Sequence, residues 1–158
     1  MKQTPIRILF QSICLLVLAG ASSLKAGSGN DTWTGAAGDN NWSTGGNWTG
    51  ANTPPVAGDT LAFGLQGAGS LTLNNNLTIA TSFQGLTFNA TAPAFVLNGN
   101  QITDAGAIFD NSLSLETINL PIAIGASQTF AVTSGGSLTI NNVISGAGSL
   151  VEAGAGLL

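Results

Sequence analysis

The chain has 158 residues, of which only three are basic and seven are acidic. Lys2, Arg7 and Lys25 all lie near the N-terminus, and beyond residue 25 the sequence contains no Lys, Arg, His or Cys. This composition argues against nucleic-acid binding, against zinc and transition-metal sites, and against nucleophilic triads, because each of these needs residue types that are missing.

Residues 1–26 have the pattern of a secretory signal peptide. Lys2 and Arg7 come first, and an apolar run from Ile8 to Leu18 leads into small residues. The run is too short to span a membrane. Cleavage after Ala21 fits the small-x-small pattern, and cleavage after Ala26 is the alternative. We therefore expect a signal helix that directs the chain to the export machinery.

Residues 27–60 contain all three tryptophans, Trp33, Trp42 and Trp48, among Gly, Asn, Thr and Ser. Flat exposed indoles would stack on sugar rings, so the segment is a candidate glycan-binding platform. The preferred interpretation is a Trp-rich cap that closes the first coil of a solenoid. The two differ in burial, because a cap buries its indoles whereas a platform leaves at least two of them exposed.

Three aspartates, Asp31, Asp39 and Asp59, surround the tryptophans. Their oxygens suit calcium, but the sequence has no calcium-loop motif. We interpret them as solvated turn carboxylates, and we predict no metal site and no cofactor.

Residues 61–158 predict short β-strands, because apolar residues alternate with Thr or Asn between clusters of Gly and Asn. The clearest examples are LTL (71–73), LTI (77–79), LTF (86–88), INL (118–120) and LTI (138–140). The chain beyond the signal is therefore expected to be all-β.

Apolar residues also recur at steps of 20 or 21 residues. The three columns are Phe88, Phe109, Phe130 and Leu150; Leu77, Leu97, Ile118 and Leu138; and Ile102, Ile122 and Val143. A period near 20 predicts a right-handed parallel β-helix, whose coils stack their inward side chains. Asn98 and Asn119 predict an asparagine ladder, which Asn141 continues only with a one-residue bulge.

Asp104, Asp110 and Glu116 are the candidates for an acid and a base in glycoside hydrolysis. Their six-residue spacing predicts that they fall on different faces of a β-helix. β-Helical polysaccharide lyases generally use a basic residue, and none follows residue 25. We therefore predict that the chain is not an enzyme.

The stretch ISGAGSLVEAGAGLL (144–158) resembles the opening of the autotransporter-associated β-strand repeat. Glu152 stands where that family usually has Lys, and the second half of the repeat is missing. The segment with the tryptophans, Pro54-Pro55 and Gly58-Asp59 is similar to the leader that precedes such repeats. FVLNGNQIT (95–103) and QTFAVTSGGSLTINNVISGAGSL (128–150) are similar to the coils between the leader and the repeat.

The resemblance implies a secreted or cell-surface β-helix, the N-terminal fragment of an autotransporter-like passenger, at the outer membrane of a Gram-negative-type bacterium. Its role would be structural or adhesive, with cell-surface glycans or surface proteins as partners and coils truncated at the C-terminus. The alternatives are a carbohydrate-binding module that uses Trp33, Trp42 and Trp48, and the N-terminal part of a β-helical polysaccharide-degrading enzyme.

Overall fold

The computed structural model describes residues 29–65 and 69–158, which form a β-solenoid of about four turns. The signal helix expected in residues 1–26 lies outside the described residues. A 3-10 turn spans Gly45–Asn47. The strands of the described ranges are β1 (Asn30–Trp33), β2 (Trp48–Gly50), β3 (Thr60–Phe63), β4 (Thr72–Asn75), β5 (Thr81–Phe88), β6 (Val96–Gly99), β7 (Ile102–Asp110), β8 (Leu115–Ile118), β9 (Ile122–Ile124), β10 (Gln128–Val132), β11 (Ser137–Ile140), β12 (Ile144–Ser145) and β13 (Leu150–Gly154).

The strands form two sheets that face each other across the core. The larger sheet has the order β12-β9-β7-β5-β3-β1-β2, and β10 joins it by pairing with β7 and β13. The smaller sheet has the order β11-β8-β6-β4. Neighbouring strands are parallel except for β1 and β2, which are antiparallel. The prediction of an all-β parallel solenoid is therefore confirmed.

The core consists of side chains that stack on the same inward position from coil to coil. In the larger sheet, Leu61, Leu86, Ile108 and Phe130 stack in register and are fully buried. In the smaller sheet, the corresponding column is Leu73, Leu97, Ile118 and Ile140. Each coil thus covers the apolar surface of the coil before it, which is the main favourable term for a solenoid.

The predicted column of Phe88, Phe109, Phe130 and Leu150 is wrong. Phe88 stacks on Asp110, whereas Phe109 aligns with Thr87 and Ala131 and is 44% exposed. The spacing between these strands is 22 residues. Side chains alternate between the two faces of a strand. A residue 21 positions after the inward-facing Phe88 is therefore one position short of the inward site and faces outwards, as Phe109 does.

The other two predicted columns are partly right. Leu97 does stack on Ile118, and Ile102 does stack on Ile122. The next coil differs from the predicted register. Ile118 stacks on Ile140 instead of Leu138, and Ile122 stacks on Ile144 instead of Val143. Leu77–Ile79, predicted as a strand, is a bend and turn.

A bulge interrupts the pairing of β5 with β7 between Phe83 and Gly85. Gly85 has φ of +139°, and a Cβ atom there would lie 2.6 Å from the carbonyl oxygen of Ala107. Glycine is therefore required, because a side chain would be strained and would collide with the adjacent coil.

Candidate functional site

The three tryptophans pack together at the N-terminal end of the solenoid. Trp33 ends β1 and faces Trp48 at the start of β2, with ring centroids 5.2 Å apart in an edge-to-face arrangement. Trp42 meets Trp48 at 5.8 Å and also contacts Phe63 and Phe83 of the first coils. The cluster therefore extends the aromatic core to the end of the solenoid.

None of the three rings presents a face to solvent. Trp33 is 1% exposed, Trp42 0% and Trp48 5%. The Nε1 of Trp48 donates to the carbonyl oxygen of Trp42 at 2.9 Å. A sugar platform needs at least two open indole faces, and this arrangement provides none, so the burial agrees with the cap.

The turn that carries Trp42 is held by Asp39 and Asn47. The Asp39 carboxylate accepts hydrogen bonds from the Asn41 backbone N–H at 2.8 Å and from the Thr44 hydroxyl at 2.9 Å. The Nδ2 of Asn47 also donates to Asp39 at 2.8 Å. These hydrogen bonds lower the pKa of Asp39, and the bond from the Asn41 N–H has the largest effect. Asp39 is also exposed, so it fits the predicted turn carboxylate.

Asp31 and Asp59 are not solvated turn carboxylates, because both are fully buried. Asn52 lies between them: its backbone N–H donates to Asp31 and its Nδ2 donates to Asp59, both at 2.8 Å. Burial raises the pKa of Asp31. The described ranges hold no group of three or more His, Cys, Asp or Glu that could bind a metal ion.

Asp110 and Glu116 come together, contrary to the prediction that they fall on different faces. The Ser112 hydroxyl lies between them, 2.8 Å from Asp110 Oδ1 and 2.9 Å from Glu116 Oε1. The backbone N–H of Phe95 donates to the other Glu116 oxygen at 2.8 Å. The chain reverses between β7 and β8 at this point, which brings residues six apart in sequence into one polar cluster.

Burial governs the protonation of this pair. Both carboxyls are fully buried, and burial raises the pKa of Glu116 to about 7 and raises that of Asp110 as well. A shared hydroxyl and a raised pKa are features of acid–base sites. Full burial, however, leaves no path for a substrate to reach these oxygens.

Asp104 is a second buried acid, inside the larger sheet. It is in register with Phe83 and Ile124, and neither carboxyl oxygen has a hydrogen-bond partner. Burial raises the pKa of Asp104 to about 7. An uncompensated charge in this apolar position would be costly, so the protonated acid is the form that the fold favours.

The outer surface of the smaller sheet carries an asparagine ladder beside a row of threonines that Val96 interrupts. The Nδ2 of Asn119 donates to Asn98 at 2.9 Å, and that of Asn141 donates to Asn119 at 3.1 Å. The predicted asparagine ladder is thus confirmed, and Asn141 continues it, but β8 and β11 pair in regular register without the expected bulge. The residues that we call the ladder face are Thr72, Asn74, Val96, Asn98, Thr117, Asn119, Thr139 and Asn141.

The ladder face holds no charged side chain. Its residues follow one another at the spacing of adjacent strands, about 4.8 Å, so the amides and hydroxyls form a regular array. At the N-terminal end, Asn74 donates to Asn41 at 3.0 Å, which joins the cap to the ladder.

A shallow groove runs between Pro55–Ala57 and Leu77–Ser82. It is lined by apolar and hydroxyl side chains, and Ile79 in its wall is 66% exposed. Its lining contains no acidic, basic or amide side chain, so the groove has no group for acid–base catalysis.

Sequence reasoning missed Ser112, Asn52 and the inward direction of the acids. One signal was available: Asp104 follows Ile102 by two residues and Asp110 follows Ile108 by two, so strand alternation puts each acid on the same face as a core isoleucine. No comparable pattern identifies Ser112, because its position depends on the chain reversal.

The sequence matches no protein-family model, and comparison with curated proteins and with solved structures found no significant match. Among the described residues, no helix has the length and apolar character needed to cross a membrane.

Proposed function

We propose that the chain is a secreted or cell-surface β-solenoid with a structural or adhesive role, a segment of an autotransporter-like passenger, and that it carries out no catalysis. The ladder face is the observation on which this proposal rests. Repeated weak polar groups on a rigid support suit multivalent contact with repeating surface polymers, because many weak contacts add up when their spacing is fixed.

The adhesive part is tested with a matched pair of charge substitutions. Thr117 lies in the ladder face on β8, and Thr87 has the corresponding outward position on β5 of the larger sheet. Beads coated with the full chain would be applied to cell monolayers and to an array of immobilised cell-surface glycans. We expect Thr117→Glu to abolish binding and Thr87→Glu to leave it unchanged. Equal loss from both variants, or no binding by the unaltered chain, would refute adhesion through this face.

Secretion is tested by expressing the full chain in a Gram-negative host. We expect a processed protein in the periplasm, whose mass identifies cleavage after Ala21 or after Ala26. Full-length protein retained in the cytoplasm would contradict export.

The absence of catalysis is supported by the lack of Lys, Arg, His and Cys beyond residue 25 and by the burial of Asp104, Asp110 and Glu116. The carbohydrate-module alternative is less well supported, because the indole faces of Trp33, Trp42 and Trp48 are covered. Release of reducing ends from any member of a polysaccharide panel would overturn the non-enzymatic proposal.

A further inference from the structure

The asparagines of the ladder face keep hydrogen-bonding capacity that the ladder does not use. A side-chain amide has two N–H donors and a carbonyl oxygen with two lone pairs. Asn119 donates one N–H to Asn98 and accepts one from Asn141. One donor and one lone pair of the partly exposed Asn119 amide therefore remain for a ligand, and the ladder bonds fix their direction.

The charge of the protein restricts what this face can bind. The eight residues of the ladder face carry hydroxyl, amide or aliphatic side chains, and the described ranges contain no Lys, Arg or His. Proteins hold phosphate and carboxylate groups mainly through Arg and Lys, so an anionic polymer would find no partner here. A cationic partner would find no carboxylate on the face. The partner that suits both facts is electrically neutral.

A polymer of sugar hydroxyls fits a neutral array of amides and hydroxyls. Each sugar hydroxyl donates and accepts, as the free amide positions require. Protein interfaces, in contrast, centre on apolar and aromatic side chains, and Val96 is the one apolar residue among the eight of the ladder face. The side chains therefore favour a polysaccharide over a folded protein.

The spacing of the rungs indicates how such a polymer would lie. The ladder face crosses the four strands β4, β6, β8 and β11, which follow one another at about 4.8 Å. A chain extended along the solenoid axis meets a new amide at every rung, whereas a chain that follows one strand meets a single amide. One hydrogen bond gained in exchange for water adds little affinity, so several rungs have to act on the same molecule.

We propose that the ladder face binds an extended neutral polysaccharide that lies along the solenoid axis and spans several rungs. The inference rests on the proposed adhesive function, whose surface it shares, and it names the class of polymer. Val96 then marks a gap in the row of hydroxyls, because it lies between Thr72 and Thr117.

The test measures how far soluble polysaccharides retard the full chain in native gels. Hydroxyethylcellulose, dextran and a soluble β-1,3-glucan are the neutral polymers, and the carboxymethyl derivative of each backbone is its anionic control. We expect retardation by at least one neutral polymer and none by its carboxymethyl derivative. A hexasaccharide of the same backbone should compete at concentrations where its single sugar does not.

Three variants locate the contact. Thr117→Val removes a hydroxyl from the ladder face, Val96→Thr fills the gap, and Thr87→Val makes the first change on the larger sheet. We expect Thr117→Val to weaken binding about threefold, Val96→Thr to strengthen it by a similar factor, and Thr87→Val to have no effect. The three side chains point outwards and are partly exposed, so circular dichroism should show an unchanged fold.

The proposal is overturned if no neutral polymer retards the chain, if the carboxymethyl derivatives retard it equally, or if the three variants bind alike. The bead assay on cells separates this failure from that of adhesion. Cell binding that Thr117→Glu abolishes, but that no soluble polysaccharide inhibits, would leave adhesion standing and refute the polysaccharide. Loss of that binding after protease treatment of the cells would then identify a protein receptor.

Discussion

The buried acids predict that acid stabilises this protein, and Asp104 allows the sharpest test. Its carboxyl is fully buried without a hydrogen-bond partner, and burial raises its pKa from 3.8 to about 7. Between these two values the folded chain holds a proton that the unfolded chain has lost. The free energy of unfolding should therefore be highest below pH 4 and should fall as the pH rises towards 7.

The magnitude follows from the two pKa values. One group that retains its proton in the folded state changes the free energy of unfolding by about 1.4 kcal/mol per pH unit. From pH 4 to pH 7, Asp104 should account for a decrease of about 3 kcal/mol. Glu116, whose pKa burial raises to about 7, acts in the same direction.

The assay is guanidinium unfolding of the full chain and of Asp104→Asn at a series of pH values from 4 to 8. The amide does not titrate and has nearly the same shape as the carboxyl. The quantity to follow is the difference in the free energy of unfolding between the two proteins, because a cost of the substitution that does not depend on pH leaves the pH dependence of this difference unchanged. We expect that difference to shift by about 3 kcal/mol between pH 4 and 7. A difference that stays constant, or an unaltered chain that gains stability with rising pH, would refute the reasoning.

Three further substitutions, one of them with a matched control, test the packing of the solenoid. Trp42→Ala should lower the free energy of unfolding by about 3–5 kcal/mol, because it removes the centre of a fully buried cluster; a loss below 1 kcal/mol would contradict the cap. Asn119→Ala should cost about 1–2 kcal/mol by breaking both ladder hydrogen bonds, and retained stability would show that the ladder contributes nothing. Gly85→Ala should cost about 1–3 kcal/mol, whereas Gly125→Ala, whose Cβ meets no atom within 4 Å, should stay within about 0.5 kcal/mol. All four variants are measured by chemical denaturation, and equal effects at the two glycines would contradict the close approach at Gly85.

The fold class was predictable because stacked coils repeat their side-chain types. Leu97 stacks on Ile118 and Asn98 on Asn119, and both pairs are visible as steps of 21 residues. Chemical similarity at a fixed interval is what in-register parallel strands require. The pattern therefore identified a solenoid even though parts of the register were wrong.

The register could not be read with the same accuracy. Phe109 has the same side chain as Phe88 and Phe130, but it lies 21 residues from each while the strands there step by 22. One residue of difference sends Phe109 to the outside. Turn length sets that step, and the Gly- and Asn-rich turns accept several lengths with little difference in sequence.

The candidate site was predictable only in part. The burial of Trp42 agrees with the predicted cap. That prediction was possible because a sequence with a clear period indicates a solenoid, and the first coil of a solenoid needs a cover. The pairing of Asp110 with Glu116 through Ser112 depends on how tightly the chain turns after β7. Asp31 and Asp59 were expected to be solvated turn carboxylates because Gly and Asn surround them, whereas both are among the five acids that are fully buried.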